Sequence, residues 1–266
     1  MNAQTAGEER ACPICAEPGC KPLAQYSREP WRVVECAACG FVYLHNAPDY
    51  ADLVDHYAWE KTYQEEKRRR RRAMPVLMAI DRATRWRLDL FRQDLGRLYR
   101  RIFRPGRVLD VGCGPGDFVP EPFTPFGIEL SEVLHRQADA HMRSRGGYAV
   151  HASASEGMAA FPAGHFSGVI LASIIEHEKN PRRLLSEARR VLADDGAVYL
   201  KVPNFGGANR RLMGGRWCGF RHPDHVNYFT AGALRRLAAE TGLKLRHLNP
   251  LSVFDDNIHA ILTKSA

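Results

Sequence analysis

The sequence predicts an α/β fold, a doubly wound sheet of mainly parallel strands preceded by a small cysteine module and a helical segment. Three observations predict it. Strand-like and helix-like runs alternate from Gly106 onward, two CxxC pairs stand within the first forty residues, and an arginine-rich amphipathic stretch lies between. Alternation of strand and helix implies right-handed crossovers, which put helices on both faces of a parallel sheet. With 266 residues, 45% of them hydrophobic, the chain can bury a core of that size. Composition sets the expected boundaries at 1–46, 47–104 and 105–266.

Residues 1–46 contain short β-like runs, "WRVVEC" and "FVYLH", suited to small antiparallel strands around turns. Cys12 and Cys15 form one CxxC pair, Cys36 and Cys39 the other, with twenty residues between them. Each CxxC turn presents two sulfurs from one tight knuckle, and four such ligands complete a tetrahedral zinc site of the ribbon type. With every position filled by protein, the metal is expected to be structural. Disulfide pairing is the competing reading, and nothing in the chain points to an oxidising compartment. Cys20, Cys113 and Cys218 read as ordinary small residues.

Residues 47–104 read as helix. Leu77, Ile80, Thr84, Leu88, Phe91, Leu95, Leu98 and Ile102 recur at steps of three or four, with arginines on the other face. The net charge of +8 is concentrated here: between Glu60 and Arg104 there are 15 Lys/Arg against 6 Asp/Glu, and the remainder of the chain is close to neutral. The run "KRRRRR" at 67–72 reads either as a solvated helix face or as a surface for phosphates.

From Gly106 the strands are "RVLDVG", "FGIEL", "GYAVH", "SGVILAS" and "AVYLKV", with helices beginning near Ser131, Ser155 and Pro181. Asn180-Pro181 suits a helix start, since Asn caps and Pro fits the first turn. "LKLRHL" and "NIHAILTK" follow the last helix without another between them, as a closing antiparallel pair would. The longest nearly continuous apolar run, "GVILASII", is far too short for a membrane span, so a cytoplasmic protein is expected.

"RVLDVGCGPGDF" carries a strand into Asp110, Gly112, Gly114 and Gly116. Glycines at alternate positions let the backbone turn sharply and approach a nucleotide-like cofactor closely. A dinucleotide fingerprint wants GxGxxG and an acid about twenty residues on; here the spacing is GxGxG, and Glu129 follows Gly116 by thirteen. Glu129, at the end of the next strand, can accept hydrogen bonds from two ribose hydroxyls.

"LDVGCGPG", "GIELS", "FSGVILASIIEHEKNP", "EARRVLADDGAVYLKVPN" and "HPDHVNYFTAGALRRLAAETGLKL", in that order, resemble the class I S-adenosylmethionine-dependent methyltransferases over residues 106–264. Within that superfamily the likeness is to small-molecule enzymes, including ubiquinone-pathway O-methyltransferases and zinc-ribbon-bearing enzymes of sugar and natural-product pathways. The resemblance implies a Rossmann-like seven-stranded sheet with the last strand antiparallel, and S-adenosylmethionine as cofactor. It implies that Gly112, Gly114 and Gly116 face the methionine part and that Asp110 orients it. Glu129 would hold the ribose, Ser155 and Glu156 the adenine, and Ser173 would border the sulfonium end.

Two departures stand out. The Gly116–Glu129 interval is short and contains Pro120, Pro122 and Pro125, so the first helix is stunted or replaced by a loop, and one cleft wall is missing or supplied by the basic segment. Ser167 also stands where the family usually has Asp.

Methyl transfer is an in-line displacement that needs an aligned acceptor and often a base. The candidates are Glu176, His177 and His225. Relatives with an ExxEH run and a later histidine resemble a divalent-metal site, but Ser173 occupies the first carboxylate position here. Glu176 and His177 read equally as a brace at the strand end. Trp217, Phe220, Arg221, His222 and Tyr228 follow the fifth strand, over the sheet's carboxyl ends, and read as acceptor-pocket residues or as the packing of a long loop. Three functions follow in order: a small-molecule methyltransferase, an RNA methyltransferase using the ribbon and the basic helix, and a cofactor-binding scaffold without turnover.

Overall fold

The computed structural model describes residues 7–48, 94–248 and 255–265. Most of the basic segment, including the arginine run, lies outside them. Seven strands form the main sheet: β4 (Arg107–Val111), β5 (Thr124–Glu129), β6 (Ala149–His151), β7 (Phe166–Ala172), β8 (Leu192–Pro203), β10 (Leu243–Leu248) and β11 (Asn257–Lys264). Their order is β10-β11-β8-β7-β4-β5-β6, and β11 runs antiparallel to both of its neighbours. This is the Rossmann-like sheet with its last strand antiparallel that the sequence predicts.

The strand patterns explain the layering. β4 and β5 are apolar on both faces because helices cover both sides, whereas β11 alternates buried and half-buried residues. Helix α2 (Glu132–Arg143) starts at Ser131, whose hydroxyl accepts from the Leu134 amide. Helix α3 (Ala154–Ala159) follows Ser153, and helix α4 (Pro181–Val191) opens with the Asn180 side chain accepting from the Arg183 amide at 3.0 Å. Helix α5 (Ala208–Met213) precedes a 3₁₀ turn, and Thr230 caps helix α6 (Ala231–Glu240). Of the predicted amphipathic stripe, the described part is helix α1 (Leu95–Ile102), started by Asp94. Leu98 and Ile102 pack as predicted, but the residue most deeply buried is Tyr99, stacked on Phe103 and edge-on to Tyr199.

No helix joins β4 to β5. Residues 112–123 form a loop whose Val119 and Phe123 enter the core beside Tyr99 and Phe103. Arg145 holds it from below, donating to the carbonyls of Val119 (2.6 Å) and Phe123 (3.1 Å). Three prolines in that interval leave no room for a regular helix.

The N-terminal strands are β1 (Cys20–Pro22), β2 (Val33–Cys36) and β3 (Val42–Leu44), antiparallel as predicted. A fourth strand completes their sheet from far along the chain. It is β9 (Asn227–Tyr228), pairing Tyr228 with Val42 and Asn227 with Tyr43. The cores are shared as well: Ile14, Val34, Phe41 and Tyr43 belong to one apolar cluster with the main sheet, and the Phe41 and Phe229 rings lie 5.1 Å apart.

Candidate functional site

The strand order reverses between β4 and β7, and a crevice at such a point, at the carboxyl ends of the strands, is where doubly wound folds bind ligands. The glycine loop sits there. Gly112, Gly114 and Gly116 all have positive φ, the left-handed region in which a side chain is strained. A Cβ on Gly114 would meet nothing within 4 Å, so this turn opens on free space; one on Gly116 would lie 2.9 Å from the Ala138 backbone of α2. Gly114 thus keeps the cradle bare, and Gly116 lets the loop press against a helix.

Glu129 ends β5 and faces this loop. One carboxylate oxygen accepts from the Gly114 amide at 2.9 Å, the other from the Ser131 amide at 2.8 Å. Asp110, at the end of β4, is only 4% exposed; burial, with Glu129 and Asp117 adding repulsion, pushes its carboxyl up to about 7. A buried carboxyl beside an open glycine turn fits a ligand carrying positive charge and hydroxyl groups. On α3, Ser155 is nearly buried, and Glu156 accepts from the Ser153 hydroxyl at 2.6 Å. Ser173 follows β7 in the left-handed conformation, its amide donating to the Lys201 carbonyl.

Beyond Ser173, Glu176, His177 and His225 come together. The His177 and His225 rings stand edge to face with centroids 4.8 Å apart, and each of the three residues offers one ligand atom within 4.8 Å of the others. His177 Nδ1 donates to Asp224, 2.9 Å from its carbonyl and 3.1 Å from its carboxylate. Burial opposes a charge on His177, but Asp224, with Glu176 adding, overcomes it and raises the imidazole to about 9. His225 differs: burial and the His177 charge push it down to about 3. Its Nδ1 lies 2.9 Å from the Gly219 carbonyl, so that nitrogen carries the proton and Nε2 the lone pair. Glu176 is buried, its carboxyl raised by that burial, and neither oxygen has a hydrogen-bond partner. An orphaned buried carboxyl between two imidazoles calls for a ligand or a proton.

The aromatic neighbours lie elsewhere. Trp217, Phe220 and Tyr228, 2–6% exposed, pack with Trp31, Val33, Val42 and Leu44 of the N-terminal strands, leaving almost no surface to offer an acceptor. His222 sits between the Tyr26 carbonyl (3.0 Å) and the Tyr228 hydroxyl (3.1 Å), joining the loop to the module. A guanidinium nitrogen of Arg221 lies 3.0 Å from the Asp224 carboxylate, an ion pair without hydrogen-bond alignment. Glu178, not singled out in the sequence, is also buried and raised to about 7 by that burial.

The four cysteines converge. The sulfurs of Cys12 and Cys39 are 3.6 Å apart and those of Cys15 and Cys36 3.5 Å, none of the seven cysteines being in a disulfide. Tetrahedral thiolate ligation at about 2.3 Å sets sulfurs about 3.8 Å apart, so this cluster fits a divalent cation of zinc's size. Without a cation, burial drives the Cys12 thiol upward.

The profile of a family described as a methyltransferase domain matches residues 81–248, more than half of the chain. The chain belongs to the methyltransferase-domain family. A curated relative, an uncharacterized protein of Methanocaldococcus jannaschii designated MJ1123, is 24% identical over 113 residues, 42% of this chain; the chain spans about half (52%) of that relative's length. Among solved structures, the chain is similar to a 1,6-didemethyltoxoflavin N1-methyltransferase of Burkholderia thailandensis that holds 1,6-didemethyltoxoflavin and S-adenosylhomocysteine. The two share 15% identity with a TM-score of 0.53, covering 92% of this chain and 100% of that one. An S-adenosylmethionine-dependent methyltransferase of Archaeoglobus fulgidus matches with 16% identity and a TM-score of 0.51, over 71% and 100% of the chains. At these identities the likeness establishes the fold. Among the described residues no helix is long and apolar enough to cross a membrane.

Proposed function

We propose that the protein transfers a methyl group from S-adenosylmethionine to a small-molecule acceptor, with a structural zinc held by Cys12, Cys15, Cys36 and Cys39. The observation that carries the reading is Glu129, a carboxylate aimed by two backbone amides at the open turn of Gly114. Such a group is set to accept from vicinal ribose hydroxyls. The near-complete coverage of a small-molecule N-methyltransferase supports the acceptor class.

The bound cofactor supplies a methyl group already activated on a sulfonium. Asp110, once ionised, would face the cofactor's positive charge, and the turns at Gly112 and Gly114 would allow close approach. Ser155 and Glu156 would hold the adenine, and Ser173 would border the sulfonium end. On the acceptor side His225 is neutral, and its Nε2 lone pair can accept a hydrogen bond that orients the acceptor, while His177 stays cationic against Asp224. Environments that separate two histidines in this way divide the orienting and charge-stabilising roles between them. Glu176 offers its unpartnered oxygens to the acceptor or to a divalent cation. Trp217, Phe220, Tyr228 and His222 build the loop that carries His225.

Calorimetry with S-adenosylmethionine is the first test. Binding in the micromolar range is expected, and none up to millimolar concentration overturns the reading. A metabolite extract incubated with enzyme and cofactor, then searched by mass for a gained methyl group, identifies the acceptor. An RNA acceptor would instead show as retention on RNA that falls steeply with salt.

A further inference from the structure

We propose that Arg10 is a positioning residue: it locks the four-cysteine module to the backbone that carries Glu176 and His177, making the module part of the acceptor side. The functional weight of that backbone rests on the reading just given.

The guanidinium of Arg10 reaches four acceptors on three separate stretches of chain. Nε donates to the Leu44 carbonyl at 2.9 Å, Nη1 to the Lys179 carbonyl at 3.0 Å, and Nη2 to the Val226 carbonyl at 2.6 Å and Asn227 Oδ1 at 3.1 Å. Asn227 continues the link, its Nδ2 donating to the carbonyls of Ile175 (3.0 Å) and Glu178 (2.7 Å). The amides of Val226 and Asn227 both donate to the Glu176 carbonyl, at 2.8 and 3.1 Å. Every carbonyl named between Ile175 and Lys179 is thus held by Arg10, by Asn227 or by the start of β9. Through these bonds the turn bearing Glu176 and His177 is fixed to β3, and β3 pairs with β2, which ends at Cys36.

The chemistry requires arginine. A planar fork satisfies acceptors lying in several directions at once, which the single ammonium of lysine does not. All four acceptors are neutral, and a guanidinium drawn half out of water without a carboxylate is costly unless negative charge lies nearby. Cys12 is two residues away, and four thiolates around one divalent cation carry two net negative charges. Arg182 also donates to the Ile14 carbonyl of that knuckle, at 2.5 Å, its charge being paired with Glu240.

The test uses the full-length, metal-loaded protein. Hydrogen exchange in Arg10→Met and Arg10→Lys should show the Val226 and Asn227 amides exchanging at least about tenfold faster, with the amides of β4 and β7 unchanged. Ring-nitrogen NMR signals of His177 and His225 should shift, those of the distant His141 and His151 should not, and the metal content should stay at one per chain. Asn227→Ser breaks the relay while leaving Arg10 in place, and it should reproduce both changes if the Arg10 variants fail to fold. Unchanged exchange and unchanged histidine signals in a folded, metal-loaded Arg10 or Asn227 variant would overturn the proposal. The acceptor-side reading fails separately, if His225→Gln still methylates the acceptor at the wild-type rate.

Discussion

Replacing Asp110 with asparagine should stabilise the protein while weakening cofactor binding, and the two effects should part with pH. Asp110 is buried at the end of β4 with Glu129 and Asp117 as like-charged neighbours, so its carboxyl moves from an ordinary 3.8 to about 7. Between those two values the native protein holds a proton that the unfolded chain releases. Stability therefore falls as pH rises through this window and levels off above about 7. At about 1.4 kcal/mol per tenfold change in proton affinity, the cost has an upper bound of about 1.6 kcal/mol at pH 5 and about 4 kcal/mol at pH 8.5. Asparagine keeps the shape and does not ionise. Urea unfolding of both proteins at pH 5 and pH 8.5 should show the variant ahead at both, with its advantage larger at pH 8.5 by up to about 3 kcal/mol. Calorimetry at pH 8.5 should show the reverse for S-adenosylmethionine, with affinity about tenfold or more lower in the variant. The reasoning is refuted if the stability difference is the same at both pH values, because Asp110 would then titrate normally in the folded state.

Further outcomes follow from the same geometry. Glu129→Ala removes the carboxylate proposed to accept from the ribose hydroxyls, and with charge-assisted bonds contributing about 1.5–3 kcal/mol each, calorimetry should show cofactor affinity reduced at least about tenfold. Gly116→Ala places a Cβ 2.9 Å from the Ala138 backbone at positive φ and should lower the unfolding midpoint clearly more than Gly114→Ala, which strains φ alone. If the four cysteines hold the zinc proposed for them, native mass spectrometry should find one zinc per chain in the wild type and none in Cys36→Ser, whose thermal stability should be lower. His222→Gln removes the bonds to Tyr26 and Tyr228 and should cost about 1–2 kcal/mol of stability with turnover retained, whereas His225→Gln should abolish turnover and retain the fold.

The main sheet was legible because its signals are local. Apolar runs such as "RVLDV" and cap residues such as Asn180 act on their own segment, and the missing helix after the glycine loop followed from three prolines. The open turn of Gly112, Gly114 and Gly116 and the carboxylate of Glu129 that faces it were legible for the same reason, since these residues lie within two strand ends. The surroundings of Glu176, His177 and His225 were not. Asn227 and Tyr228 form too short a strand to show any alternation, and their partner β3 is almost two hundred residues earlier. Arg10 is one of 38 Lys and Arg residues, and nothing in its neighbours separates an arginine with four acceptors within the protein from one in water. The aromatics of the late loop were visible as aromatics, but the surface they cover is on another segment.

Three buried carboxyls, Asp110, Glu176 and Glu178, lie at the carboxyl edge of the sheet and the turn that leaves it, and the half-buried Arg10 reaches that turn from the N-terminal segment. Burial works against ionisation in each, holding the three carboxyls above their ordinary range and Arg10 down at about 10. A chain selected for stability alone would have apolar residues in such places. The three carboxyls suit a site for a cationic cofactor, because negative charges withheld from water interact strongly with a ligand that brings the opposite sign. Arg10 belongs to this group by position but is answered from within the protein, by carbonyls and by the cysteine cluster. It is therefore the member whose loss should loosen the scaffold before the cofactor binds, whereas loss of Asp110 should firm the scaffold and count against the protein only when the cofactor binds.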